Sequence, residues 1–176
     1  ASADEFKKSV FCLMPSPKAN PEAVETAVNF GHLIGAVPYF VDAMEFDVLQ
    51  TGVQTVPGLL AAALFSSVAK STSWRDMLRF ASVPFAMSTQ PLAVNTDIAH
   101  EAIDNKIGTL RWLDGLIDEL KILRKQVYEG EEEILSATLA GLAGERDKWL
   151  GEREKNDWIE DDNMNIDINA GSIGFL

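Results

Sequence analysis

The chain holds 176 residues, 47% of them hydrophobic and 24% charged, enough for one domain with a sizeable core. Its formal net charge is −12, and of the 15 Lys+Arg and 27 Asp+Glu, residues 101–176 hold 9 and 18. No basic face is in view to neutralise phosphates, which argues against a nucleic-acid partner and against an anionic membrane surface. The single cysteine, Cys12, excludes an internal disulfide and a cysteine-based metal site, so a reducing cytoplasm is the expected compartment. The opening Ala1-Ser2-Ala3, without a methionine, suggests a piece cut from a longer chain.

Ser9–Met14 is a short apolar run stopped by Pro15-Ser16-Pro17 and reads as a strand. Asn20-Pro21-Glu22 then reads as a helix start, with Asn20 as N-cap, Pro21 at the first helical position and an acid in the first turn. Val24, Ala27, Val28, Gly31 and Ile34 mark its buried face, and Gly35 ends it as a left-handed cap. Ala36–Val41 is a second strand, with Pro38 suggesting an edge. From Asp42 onward only helices are expected. Asp42 caps one that runs to about Lys70 with a kink at Pro57, and Ala61-Ala62-Ala63 permits close helix approach.

The stretch Val48–Ala69 is uncharged and long enough to span a bilayer. Gln50, Gln54, Thr55, Ser66 and Ser67 punctuate it, Pro57-Gly58 breaks it, and no Trp/Tyr belts flank it, so a buried central helix is the expectation. Ser73 is expected to cap a helix over Trp74–Ser82 with Asp76 at its third position. Pro84 and Pro91 bracket a short irregular or helical piece. A long helix opens at Asn95 or Thr96 and reaches Tyr128, its apolar face formed by Ile103, Ile107, Leu110, Leu113, Ile117, Leu120 and Val127 at bundle spacing. Gly130 ends it, Glu131-Glu132-Glu133 opens a last helix to about Arg153, and an acidic, Asn-rich tail follows.

Common chemistries find little support. No Gly-x-Gly-x-x-Gly follows a strand, and Gly141 and Gly144 read as helix packing positions. His32 and His100 lie far apart and have no carboxylate at ligand spacing, so no metal site is expected. No serine sits in a Gly-x-Ser-x-Gly elbow. Arg79 follows an apolar helix one turn after Arg75, which suits carboxylate binding; a surface ion pair with Asp76 fits the spacing equally. Asp47, Gln54 and Thr55 lie near one face of the kinked helix, either as site residues or as satisfied polar positions beside Pro57.

The order of these segments resembles the C-terminal part of the prephenate and arogenate dehydrogenases. The matching pieces are Val10–Pro17 with Asn20–Val24, Gly35-Ala36-Val37-Pro38 with Phe40, Glu45-Phe46-Asp47, Gln54-Thr55-Val56-Pro57 with Leu59–Leu64, and Trp74-Arg75-Asp76-Met77-Leu78-Arg79. Asn105, Leu113-Asp114, Leu120, Arg146 and Trp149 fit the two closing helices. The resemblance implies a mainly α fold, a helical dimerisation domain like the C-terminal one of 6-phosphogluconate dehydrogenase, preceded by a strand-helix-strand segment. It divides the chain into residues 1–41, the end of a Rossmann domain; 42–153, the helical dimerisation and substrate-closing domain; and a tail, 154–176.

The implied reaction is oxidative decarboxylation of prephenate to 4-hydroxyphenylpyruvate in tyrosine biosynthesis. NAD or NADP would be bound mainly by an upstream domain absent from this chain. The implied partners are a second copy and a small anionic substrate, with no membrane or nucleic acid. Arg79 matches the arginine that binds a substrate carboxylate, and Asp47 the aspartate of a His-Asp pair; Gln54 and Thr55 complete the implied substrate set, with no catalytic residue in this segment. Two family histidines are replaced, by Phe46 and Thr55, neither of which supplies imidazole chemistry. A non-catalytic dimerisation module and a two-domain dehydrogenase for another small anionic substrate are therefore the alternatives.

Overall fold

The computed structural model of the chain describes residues 6–94 and 97–155. The tail beyond 155 and Asn95 and Thr96, expected to open a helix, lie outside the described residues. The fold is mainly α, with a small parallel sheet near the start of the chain. Packing divides the chain into two compact units, one of residues 42–130 and one of the segments on either side.

In the flanking unit, β1 (Val10–Leu13), α1 (Pro21–Leu33) and β2 (Val37–Phe40) form a strand-helix-strand motif. The strands run parallel, with Val10 opposite Val37 and Leu13 opposite Phe40. Asn20 caps α1 as expected, its Oδ1 accepting from the Glu22 amide at 2.9 Å, and Gly35 closes it at φ +80°. Phe11 of β1 meets Phe30 of α1 at a ring-centroid distance of 6.1 Å. Two strands cannot form a stable sheet alone, so this motif needs neighbours.

The central unit starts where Asp42 caps α2 (Ala43–Gln50), its Oδ1 accepting from Met44 N at 2.8 Å and Glu45 N at 3.3 Å. A kink was expected at Pro57. The helix passes through a π turn there, Thr51–Thr55, into α3 (Val56–Ala69). The Val56 amide reaches back five residues to Thr51 O. Proline lacks an amide hydrogen and its ring crowds the preceding turn; widening that turn accommodates the ring with the helical path preserved.

Ala43–Ala69 is the one helix among the described residues long and apolar enough to cross a membrane. The expected central burial is partial, since 22% of its most apolar window is buried in the chain. Its covered side is small-residue contact, with Thr51, Thr55, Val56, Gly58 and Ala61 buried. The π turn packs on α7 (Ile98–Asp104) and α8 (Lys106–Glu129), and α3 packs on α5 (Val83–Thr89) and α6 (Pro91–Val94). Phe65, Trp74 and Phe85 cluster where α3 meets α5, the Phe65–Trp74 pair edge-on at 5.7 Å.

Four other expectations are corrected. The helix expected over Trp74–Ser82 is a single turn, α4 (Trp74–Met77), followed by a turn. Ser73 makes no side-chain cap there; the Ser73 amide donates to Ser71 Oγ at 3.2 Å. The long helix to Tyr128 is interrupted at Asn105, where φ −102° and ψ 53° separate α7 from α8. Asn105 is a poor helix former whose side chain competes for backbone groups, and it caps α8 by accepting from Gly108 N at 3.2 Å. Gly130 ends α8 at φ +71°, as expected. In the flanking unit, α9 (Glu132–Lys155) buries no residue, and a Cβ at Gly141 or Gly144 would meet open space rather than a packed neighbour.

Gly52 is required by a close approach. A Cβ there would fall 2.7 Å from Trp112 Cε2, and that indole is held by its own bond to Val48 O. Gly52→Ala should therefore cost about 1–3 kcal/mol of stability by overpacking. Gly115→Ala, on the open side of α8, should add up to about 1 kcal/mol through helix propensity. Urea midpoints of the two variants check both signs.

Candidate functional site

The site is built around the π turn. Each residue that lines it is placed by the widened backbone or by a helix tied to that backbone. Thr51 Oγ1 donates to the Asp47 carbonyl at 2.7 Å and accepts from Asn105 Nδ2 at 2.8 Å. Trp112 Nε1 donates to the Val48 carbonyl at 2.8 Å. Two carbonyls just before the π turn thus gain side-chain donors, and α8 is fastened beside it at two points, Asn105 and Trp112, about two turns apart. At the far end of the turn, Thr55 is 4% exposed and its Oγ1 donates to Glu101 Oε2 at 3.1 Å. That bond brings α7 against the turn.

Beside this network lies an open groove of about 590 Å³. Val53, Pro57, Met87, Pro91 and Val94 give it apolar walls; Gln54 and Gln90 add two amides, and Glu101 adds a carboxylate. Among its described lining residues Glu101 is the only charged one. No His/Cys/Asp/Glu group suited to a metal ion occurs among the described residues. His100 does have a carboxylate partner, Asp104 Oδ2 at 3.1 Å from Nδ1, but both side chains are exposed and lie on one helix face as a surface pair.

Of the four residues singled out from sequence, the structure brings two together here. Gln54 lines the groove, and Thr55 stands behind it through Glu101. Asp47 is exposed, and its backbone carbonyl rather than its carboxylate serves the π turn. Arg79 pairs with Asp76 at 3.6 Å, with 76% of its side chain exposed, and is not among the groove's lining residues. Sequence reasoning missed Glu101, which lies 46 residues from Thr55 and carries no local signal. Asn105 did carry one, an asparagine three residues before Gly108 inside an apolar helical pattern.

No protein-family profile matches the chain, and no curated protein matches it. Solved structures do. Synechocystis arogenate dehydrogenase superposes on 82% of this chain with a TM-score of 0.75 at 20% identity. The chain has the fold of part of these dehydrogenases. Prephenate dehydrogenase from Aquifex aeolicus, in complex with hydroxyphenyl propionate and NAD+, matches 79% of it with a TM-score of 0.69 at 18% identity. A second structure of the Aquifex aeolicus enzyme gives a TM-score of 0.60 over 81% at 14% identity. The chain spans about half the length of each, 53%, 49% and 51%.

The β1–α1–β2 motif does not fit a nicotinamide dinucleotide. β1 enters α1 through Met14–Asn20, a connection with two prolines and no glycine, so its backbone cannot close on a pyrophosphate as a glycine-rich turn does.

Asn105 makes two separable bonds, one that caps α8 through the Gly108 amide and one that ties α8 to the π turn through Thr51. Asn105→Ala should cost about 1–2 kcal/mol, by loss of the cap and of the Thr51 bond together. Asn105→Asp keeps the acceptor for Gly108 N and loses the amide donor to Thr51, so its loss should be smaller. Chemical denaturation of the two variants measures the difference; equal losses would mean that the cap contributes nothing.

Proposed function

We propose that this chain is the helical, substrate-closing part of an NAD(P)-dependent dehydrogenase that acts on prephenate or arogenate. The carrying observation is the superposition on arogenate dehydrogenase over 82% of the chain, with the groove beside the π turn formed within the matched fold type. In this reading residues 1–41 end a cofactor-binding domain, 42–153 form the dimerisation and substrate-closing domain, and 154–176 are a tail. The nicotinamide cofactor is held outside the described residues, and the reacting hydroxyl is polarised outside them as well. This chain contributes binding, orientation and exclusion of water.

The residues suit that share of the work. The apolar groove walls accept a cyclic carbon skeleton, and the amides of Gln54 and Gln90 offer hydrogen bonds along it. Arg79 supplies a guanidinium on an exposed turn, with Asp76 alongside; we assign it to a substrate carboxylate that reaches it when the two parts of the enzyme close. Asp47, at the open side of α2, is assigned to the same cleft.

The exposed apolar faces support the homodimer part of the reading. Ile103, Ile107, Leu110, Ile117, Leu120 and Val127 are all exposed along α7 and α8. A second copy laid on this stripe would cover it, in the manner of obligate interfaces. A second reading, a dimerisation module without chemistry, is favoured by one observation: Phe46 and Thr55 occupy positions where the resembling enzymes carry histidine, and Thr55 spends its hydroxyl on Glu101.

The test is reduction of NAD+ or NADP+ by the intact protein with prephenate and with arogenate. Turnover of either supports the dehydrogenase; a folded protein that turns over neither leaves the non-catalytic module. In the active protein, Arg79→Ala should weaken substrate binding by about 1.5–3 kcal/mol, the scale of a charge-assisted hydrogen bond. An unchanged KM would remove Arg79 from the site.

A further inference from the structure

α7 meets the π turn and the start of α3 through three successive contacts. Asn105 Nδ2 donates to Thr51 Oγ1 at 2.8 Å, Thr55 Oγ1 donates to Glu101 Oε2 at 3.1 Å, and Ile98 sits on Gly58. Thr51, Thr55 and Gly58 ascend one helix while Asn105, Glu101 and Ile98 descend the other. Such spacing keeps each set on one helix face, so the two segments run antiparallel and touch once per turn. Two of the contacts are hydrogen bonds, and the third is one of shape alone. A Cβ at Gly58 would fall 2.3 Å from Ile98 Cδ1, 3.0 Å from Cγ1 and 3.6 Å from Cγ2. Rotation about Cβ–Cγ1 carries Cδ1 away but leaves Cγ1 in place, and Ile98 is buried, with little room to turn.

We infer that Ile98, seated on Gly58, is the spacer that sets the width of the groove and with it the bulk of the ring the groove admits. The inference rests on the reading above that the groove takes a ring-bearing anionic substrate. Glu101 lines the groove from α7, one turn after Ile98. Gln54 and Pro57 line it from the π turn and α3, and Pro57 adjoins Gly58. Both walls are thus fixed within about a turn of the Ile98–Gly58 contact. Packed helices respond to a change of side-chain volume by shifting as units, so the separation at Gly58 passes to the separation of Glu101 from Pro57. The hydrogen bonds at Thr51 and Thr55 stretch by a few tenths of an ångström at small cost, whereas touching carbon atoms cannot be compressed. Neither Ile98 nor Gly58 is among the groove's described lining residues, so both are positioning residues that act through the walls.

Phenylpropanoate and naphthylpropanoate share charge and chain and differ in ring bulk, and calorimetry measures the binding of each to the intact protein. Gly58→Ala pushes α7 outward, so the ratio of naphthyl to phenyl affinity should rise about tenfold, the low end of what one methylene commands in an apolar pocket. Ile98→Val removes the atom nearest Gly58 and lets the wall settle inward, so the ratio should fall. The double variant should return it toward the wild-type value. Opposite shifts that cancel are the mark of a spacer; a loss of stability alone lowers both affinities and leaves the ratio where it was. If Gly58→Ala does not fold, Ile98→Val, the conservative change, carries the test by itself. An unchanged ratio in the folded single variants, shifts of the same sign, or binding of neither probe by the wild type would overturn the inference. Turnover of prephenate or arogenate, scored separately, decides the dehydrogenase reading. A protein that turns over either with a ratio indifferent to Ile98 and Gly58 sinks only the spacer. A ratio that follows the two residues without turnover of either substrate sinks only the enzyme.

Discussion

A proline in the middle of an apolar helix sets the geometry of the central unit. Pro57 cannot donate to the preceding turn, and its ring takes space there. The chain answers by widening Thr51–Thr55 into a π turn, and the helix continues unbroken from Ala43 to Ala69. Such a turn is stable only if its backbone groups find partners. Here Thr51 and Trp112 serve the carbonyls of Asp47 and Val48, and Asn105 reaches Thr51 from the start of α8. The same contacts bring α8 close enough that only a glycine fits at position 52. Gln54, Thr55 and Glu101 acquire their places as a consequence. The groove is thus a by-product of how one helix accommodates one proline, and that dependence ties local sequence to the candidate chemistry.

The core that this arrangement buries is thin. Among the described residues of the central unit, the buried positions are Thr51, Thr55, Val56, Gly58, Ala61, Ile98, Gly108 and Thr109. These are small or β-branched, with no large aromatic fully enclosed. Close backbone approach through small residues gives specificity of packing but removes little apolar area from water. Meanwhile Ile107 is 84% exposed and Ile103 72%. An amphipathic helix whose apolar stripe faces water has not completed its burial. On the proposed reading a second copy supplies the missing cover, which makes association part of folding rather than an addition to it.

Much of this was legible in the sequence where the signal is local. Asn20-Pro21-Glu22, Gly35, Asp42 and Gly130 each punctuate the chain through one residue's hydrogen-bonding or dihedral preference, and each does so in the structure. The break at Asn105 was hidden because the apolar spacing continues across it, from Ile103 to Ile107, and periodicity alone reads one helix. The π turn was hidden because a proline signals that a helix must adjust, without saying how. Ser73 has the right chemistry for a cap, but its backbone carbonyl, at 3.0 Å, takes the Asp76 amide that its hydroxyl would serve. At the candidate site Gln54 and Thr55 were legible as polar residues beside Pro57. Glu101 was not, because its partnership with Thr55 spans two elements and exists only once the π turn has formed.

On the proposed reading, the stripe along α7 and α8 is an interface between two copies of this chain, and the central unit completes its burial there. Light scattering behind a sizing column measures it directly. A mass of twice 19.3 kDa, held on dilution and reduced to the monomer by Ile117→Glu with Leu120→Glu, is the predicted result. A well-folded monomer at high concentration would contradict it.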